Sequence, residues 1–219
     1  MTEITFIRHG QANSSAKTED GYDNLSPLGR TQAELLGQHL KFVSHTADHV
    51  FTGTLRRQKD TQRLLDLSAD TPVTRDARVN EIEYYTLSQQ MNEQFGTPFP
   101  NEGITFTDHF YETFARWQNG EIKDAPEPYE TYESRVKEQL EEWRHVGPHV
   151  TVVTSGGIIA MALGHVLNLD QRNMINCLLA GVNTGVTKIN YMHGEWFMTQ
   201  MNATPHLEHP QRLDMRTFY

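Results

Sequence analysis

The apolar patterning of this 219-residue chain reads as α/β: a three-layer α/β/α sandwich with a mostly parallel central sheet and a helical cap insertion. Three observations carry that reading. Strand-like and helix-like runs alternate through the first 67 residues, and parallel strands need crossover connections of that kind. A late run of Val150, Val152 and Val153 enters Gly156-Gly157 and then an apolar stretch of helical length. Between these two regions, at about 84–128, aromatic residues sit among polar residues and prolines, the composition of an insertion over the main body.

The elements follow in order. Ile4, Phe6 and Ile7 with Thr5 make a short apolar run over residues 3–8, a buried strand that opens into a loop at Arg8-His9-Gly10. Ser26 as N-cap and Pro27 in the first turn start a helix, in which Leu28, Ala33, Leu35, Leu36 and Leu40 recur at helical spacing. Residues 48–52 give the next strand, and 55–67 a second helix with Leu64, Leu65 and Leu67 inward. Val136, Leu140 and Trp143 bring a helix over 129–143 back to the main body after the cap. Beyond the strand at 150–153 and the helix at 158–167, residues 184–190 and 195–202 form a closing hairpin around His193-Gly194. There is no internal repeat, and 1–219 reads as one domain of ordinary size.

A formal charge of −9 repels a polyphosphate backbone, so nucleic acid is a poor partner, while a cleft that gathers a few arginines can still take a small anion. Cys177 is the only cysteine, which excludes an internal disulfide, a C-x-x-C redox pair and a cysteine-rich zinc site. The apolar stretch near the N-terminus is too short for a signal sequence or a membrane span, so the expected location is the cytoplasm. The eleven histidines show no metal-ligand spacing, and no metal is expected. Oligomeric state is not written in the sequence.

Arg8-His9-Gly10 means little as a bare tripeptide, since an isolated histidine after a strand is more often a hydrogen-bonded turn residue. Its position is what counts. In open α/β sheets ligands bind beyond the carboxyl ends of the strands, where residues 8–10 and 154–157 both fall. The segments FIRHG, LSPLGRTQAELLG, TLRRQKDT and RVNEIEY, in that order, resemble the histidine phosphatase (phosphoglycerate mutase-like) superfamily over nearly the whole chain. Arg8-His9-Gly10-Gln11-Ala12 is similar to the start of a bacterial branch of it.

The resemblance implies a metal-independent phosphatase that needs no cofactor and hydrolyses a small phosphomonoester, with a mutase as the weaker enzyme alternative. His9 corresponds to the nucleophile that becomes a phosphohistidine, Arg8 and Arg57 to the phosphate clamps, and Glu81 to the proton donor, with Glu83 as its stand-in. Gln11 and Asn13 resemble the family's amide contacts to phosphate. The chemistry is sound, because a neutral imidazole is nucleophilic near pH 7 and guanidinium forks match phosphoryl oxygens. A carboxylic acid that protonates the leaving alkoxide contributes roughly 10²–10⁴-fold.

One departure stands out. Where most relatives carry Ser-His-Gly-Gly, this chain has Thr154-Ser155-Gly156-Gly157, so Ser155 replaces a second histidine and a donor worth about 3 kcal/mol of transition-state stabilisation is missing. The expected repairs are the Ser155 hydroxyl or His206, reaching in from the C-terminal segment, with backbone N–H groups at Gly156 holding phosphate. The same departure motivates a rival reading, a catalytically weak phospho-ligand or protein-binding module. Arg56 reads as solvated, and the cap aromatics as core.

Overall fold

The computed structural model describes residues 1–16, 18–100 and 105–218. Six strands form one sheet: β1 (Thr2–Arg8), β2 (His49–Thr52), β3 (Val73–Arg75), β4 (His149–Thr154), β5 (Val186–Met192) and β6 (Glu195–Ala203), in the order β3-β2-β4-β1-β5-β6. The first four run parallel, and β5 and β6 add an antiparallel hairpin at one edge. The sheet is therefore mostly parallel, with helices on both faces. The side-chain alternation along the central strands shows this directly: Ile4, Phe6, Val150 and Val152 enter one apolar cluster, whereas Ile7 and Val153 enter the other.

The smaller cluster lies under α2 (Pro27–Phe42) and α3 (Arg56–Leu65), which supply Leu36, Leu40 and Leu65. Ser26 caps α2 as its sequence implies, its Oγ accepting from Gly29 N at 3.0 Å. The buried stripe of α2 differs in detail, however, with Gly29, Gln32 and Gly37 inside and Leu28 and Leu35 only partly covered. Small residues are needed there because α2 packs almost backbone to backbone on the loop after β1. A Cβ on Gly10 would stand 2.3 Å from the Gly29 carbonyl oxygen. Helix α3 stops at Leu65 rather than 67, since Asp66 takes a left-handed conformation (φ 46°).

The larger cluster is covered by α6 (Tyr129–Trp143) and α7 (Gly156–Leu167), joined by α4 (Tyr84–Phe95) and α5 (Phe106–Gln118). Helices α4 and α5 fall where the cap was expected, and their Leu87, Met91, Phe110, Phe114 and Trp117 share a continuous core with Phe6 and Val152. Three elements escape the sequence reading. The short helix α1 (Glu19–Tyr22) buries no residue, the edge strand β3 has three residues, and α8 (Gln171–Ala180) buries only Met174 and Ile175. None has the periodic apolar face that makes an element visible in sequence. Among the described residues no helix is long and apolar enough to cross a membrane.

Candidate active site

Parallel pairing of β1 with β4 sets Arg8 opposite Thr154, so the loops after these strands leave the sheet side by side. His9 is the first residue past β1 and is buried at 2% exposure. Its Nδ1 lies 2.7 Å from the Gly10 carbonyl oxygen, which can only accept, so Nδ1 carries the proton. Nε2 is left with its lone pair, and Arg57 Nε–H donates to it at 3.3 Å. Burial, then the Arg57 and Arg8 charges, push the imidazole's pKa well below its usual value, so the ring is neutral at physiological pH. The backbone is braced as well, with Asn183 Nδ2 and Thr184 N donating to the His9 carbonyl at 3.1 and 3.3 Å.

Arg57 is the second residue of α3 and is 2% exposed. Asp23 fixes it: Oδ1 accepts from Arg57 Nη1 at 3.0 Å and from its backbone N at 3.2 Å, while Oδ2 accepts from Arg56 N at 2.8 Å. The carboxylate thus caps α3, whose N-cap Leu55 offers no side-chain acceptor. The Tyr22 ring packs against the guanidinium, 5.0 Å from Cζ to the ring centroid. Arg56, the neighbour, turns outward to Asp20 and Asp23 and is half exposed. Arg8 donates through Nη1 to the Gly181 carbonyl, and its buried Nε has no partner among the described residues. Burial lowers the Arg8 pKa.

Glu81 reaches the same site from the loop after a 3-10 turn at Ala77–Val79. Its Oε2 accepts from Gly157 N at 2.9 Å and its Oε1 from Tyr132 Oη at 3.4 Å, so the carboxyl group caps α7. A Cβ at position 157 would stand 2.2 Å from Oε1, which explains a glycine there. Burial and the adjacent carboxyl group raise the Tyr132 phenol well above its usual pKa, keeping it a neutral donor. Glu83, the stand-in, is exposed and bonded to Thr86 Oγ1 at 3.2 Å.

Arg8, His9, Arg57 and Glu81 line one cavity of about 250 Å³, together with Glu19 and an aromatic wall that includes Tyr22, Tyr84, Tyr85 and Phe99. The other expected contacts are not in its lining, and each has a physical reason. Gln11 Oε1 accepts from Ser26 Oγ at 2.7 Å, which ties the loop to the start of α2, while Asn13 is spent on the Gly21 carbonyl in α1 and on Ser15. Ser155 is fully buried, its Oγ taking a hydrogen bond from Gln58 Nε2 at 2.8 Å. Gly156 lies against Arg8, its Cβ position 3.4 Å from Nε, and the next amide belongs to Glu81. His206 does not reach the cavity. It sits behind Thr184, Nε2 at 2.8 Å from that hydroxyl, and burial drops its pKa to about 3.

Sequence reasoning passed over Tyr22 and Glu19, which line the same cavity as His9, and Asp23, which holds Arg57. They lie in a polar stretch without periodicity, and only the fold brings them to His9. The cap aromatics expected as core are buried in part and line the cavity as well.

A neutral ring nitrogen held between fixed cations at the carboxyl end of a parallel sheet suits an anionic electrophile, which places the protein with the α/β folds that handle phosphoryl groups. The sequence profile of the histidine phosphatase superfamily (branch 1) matches residues 4–204, and the chain belongs to that family. Over 63 residues, 28% of this chain, it is 40% identical to the mitochondrial serine/threonine-protein phosphatase PGAM5 of Xenopus laevis, and it spans 22% of that protein's length. Solved structures extend the likeness in fold to nearly the whole chain. A phosphoserine phosphatase variant of Entamoeba histolytica, bound to phosphoserine, superposes at TM-score 0.69 and 19% identity, covering 94% of this chain and 100% of that one. A mycobacterial glucosyl-3-phosphoglycerate phosphatase with inorganic phosphate gives 0.68 at 21% identity, covering 95% and 100%. The α-ribazole phosphatase of Shigella flexneri gives 0.68 at 17%, covering 93% and 97%.

Proposed function

We propose that this member of the family is a metal-independent phosphatase that hydrolyses a phosphomonoester through a phosphohistidine at His9. The observation that carries the reading is the tautomer: Nδ1–H is committed to Gly10, so Nε2 keeps its lone pair, held by Arg57 Nε–H, in a cavity that Arg8 also lines. That lone pair attacks phosphorus as the P–O bond to the alcohol breaks, and Glu81 gives its proton to the departing oxygen. Water then attacks the phosphohistidine, Glu81 takes the water's proton back, and inorganic phosphate leaves His9 free. Arg57, released from Nε2 when phosphate arrives, and Arg8, with its unpaired Nε, meet the charge of the phosphoryl oxygens.

The test is initial-rate hydrolysis of p-nitrophenyl phosphate and an alkyl phosphate in the presence of EDTA. His9→Ala abolishes both activities. Glu81→Gln lowers turnover of the alkyl ester by roughly 10²–10⁴-fold and of the nitrophenyl ester far less, because nitrophenolate leaves without a proton. Equal losses on both esters would remove Glu81 as the proton donor.

Ser155 favours a second reading, a phospho-ligand or protein-binding module. Its hydroxyl is tied to Gln58, which leaves the phosphoryl site one donor short. Phosphate that protects the cavity without any phosphomonoester being turned over would establish that reading in place of the first.

A further inference from the structure

The phosphoryl group occupies one end of the cavity, and the rest must hold the alcohol that leaves. We propose, on the strength of the phosphatase reading, that this remainder selects phosphate esters of apolar alcohols without a second negative charge, aryl and arylalkyl alcohols being the class that fits. Shape is the first argument. Beyond His9 the wall is made by Tyr22, Tyr85, Phe99, Phe106 and Phe110, with Leu179 beside them. Tyr85 and Phe99 lie face to face, 5.5 Å apart and 7° from parallel, and Tyr22 leans on Tyr85 at 5.8 Å. A volume of about 250 Å³ is at the small end for ligand pockets and suits one ring system with its phosphate. Planar surfaces of this kind reward a flat apolar group through burial and ring contacts.

Charge is the second argument, and it is independent of the first. Among the described residues of the lining, the only cations are Arg8 and Arg57, and both are used at the phosphoryl end. The remaining ionisable carboxyl groups are Glu81 and Glu19. The groove that adjoins the cavity across Ala16, Glu19, Tyr85 and Phe99 carries two more, Glu83 and an Asp20 that pairs with Arg56. Among the described residues, no lining cation beyond Arg8 and Arg57 is there to take the carboxylate of a phosphorylated hydroxy acid or a second phosphate, while Glu19 is on the same wall.

The experiment compares kcat/KM for three primary alkyl phosphates with leaving alcohols of similar basicity: ethyl phosphate, 2-phenylethyl phosphate and 3-phosphoglycerate. The expected order puts the phenylethyl ester roughly 10- to 100-fold above the ethyl ester, from burial of one ring, and 3-phosphoglycerate below both. Phe99→Ala shrinks the first ratio, and at pH 8, where Glu19 is ionised, Glu19→Gln shrinks the penalty on 3-phosphoglycerate. Calorimetric affinities of 2-phenylethylphosphonate and 3-phosphonopropionate read the same ranking without turnover. Failure of all three esters with the phosphonate ranking intact defeats the phosphatase reading and leaves this selectivity standing. Equal rates, a preference for 3-phosphoglycerate, or tighter binding of the carboxylated phosphonate overturns the selectivity alone.

Discussion

The state of His9 rests on contacts inside the motifs and on one residue outside them, Asp23. Arg8, His9 and Arg57 are legible in the sequence because short motifs fix their order, yet the tautomer depends on Gly10 and Arg57, and the orientation of Arg57 depends on Asp23. Asp23→Ala is expected to lower kcat/KM by roughly 10- to 100-fold, through a displaced guanidinium, and to cost about 1 kcal/mol of stability through the lost cap. Kinetics paired with thermal melts check both, and unchanged kinetics would show that Arg57 holds its place unaided. Gly157 is a sharper case. An added methyl would displace the flexible end of Glu81 and press on the hydroxyl of the fully buried Tyr132 ring, so Gly157→Ala should lower the melting temperature as well as move Glu81. Its turnover of alkyl phosphates should fall as Glu81→Gln does, while p-nitrophenyl phosphate is largely spared. The same side-chain traffic explains why Ser155 and His206 do not line the cavity. Both are capable donors by type, and their partners Gln58 and Thr184, distant in sequence, turn them away from the cavity.

Among the elements, legibility follows burial pattern. The strands β1 and β4 and the helices α2, α6 and α7 could be read because each carries several apolar residues at a recognisable period. Helix α8 begins with a good cap, Asp170 accepting from Asn173 N at 2.8 Å, but with two buried residues its pattern is too thin to see. Helix α2 also shows why the Gln11 amide, expected at phosphate, is engaged elsewhere. Ser26 Oγ accepts from Gly29 N and donates to Gln11 Oε1, so one hydroxyl both caps the helix and ties it to the loop after His9. Ser26→Ala is expected to destabilise the protein by about 1 kcal/mol in chemical denaturation. It should also weaken catalysis modestly, since the loop loses a tether. A midpoint equal to the wild type would mean that Pro27 alone starts the helix.

At the scale of the molecule, the site is a meeting point of distant segments, and its electrostatics feed back on stability. Burial raises the Glu19 carboxyl from 4.5 to about 7, whereas the unfolded chain releases that proton near the ordinary value. Glu19 therefore favours the fold at low pH, and its contribution is lost as pH rises from about 4.5 to 7. Glu19→Gln should melt progressively higher than wild type between pH 5 and 8, and a difference that stays constant with pH would rule out the shifted carboxyl. The three-layer sandwich was readable from strand and helix alternation. The clustering of Glu19, Tyr22 and Asp23 around His9 was not, because convergence of a loop onto a site leaves no periodic trace. The brace on His9 carries a consequence of its own for biosynthesis. Asn183, which holds the His9 carbonyl, is 174 residues downstream and is itself bonded to Thr217. At roughly 5–20 residues per second, translation takes about 10–35 s to travel from one to the other. His9 therefore leaves the ribosome well before the segment that braces it, and a nascent chain lacks that brace until Asn183 has emerged.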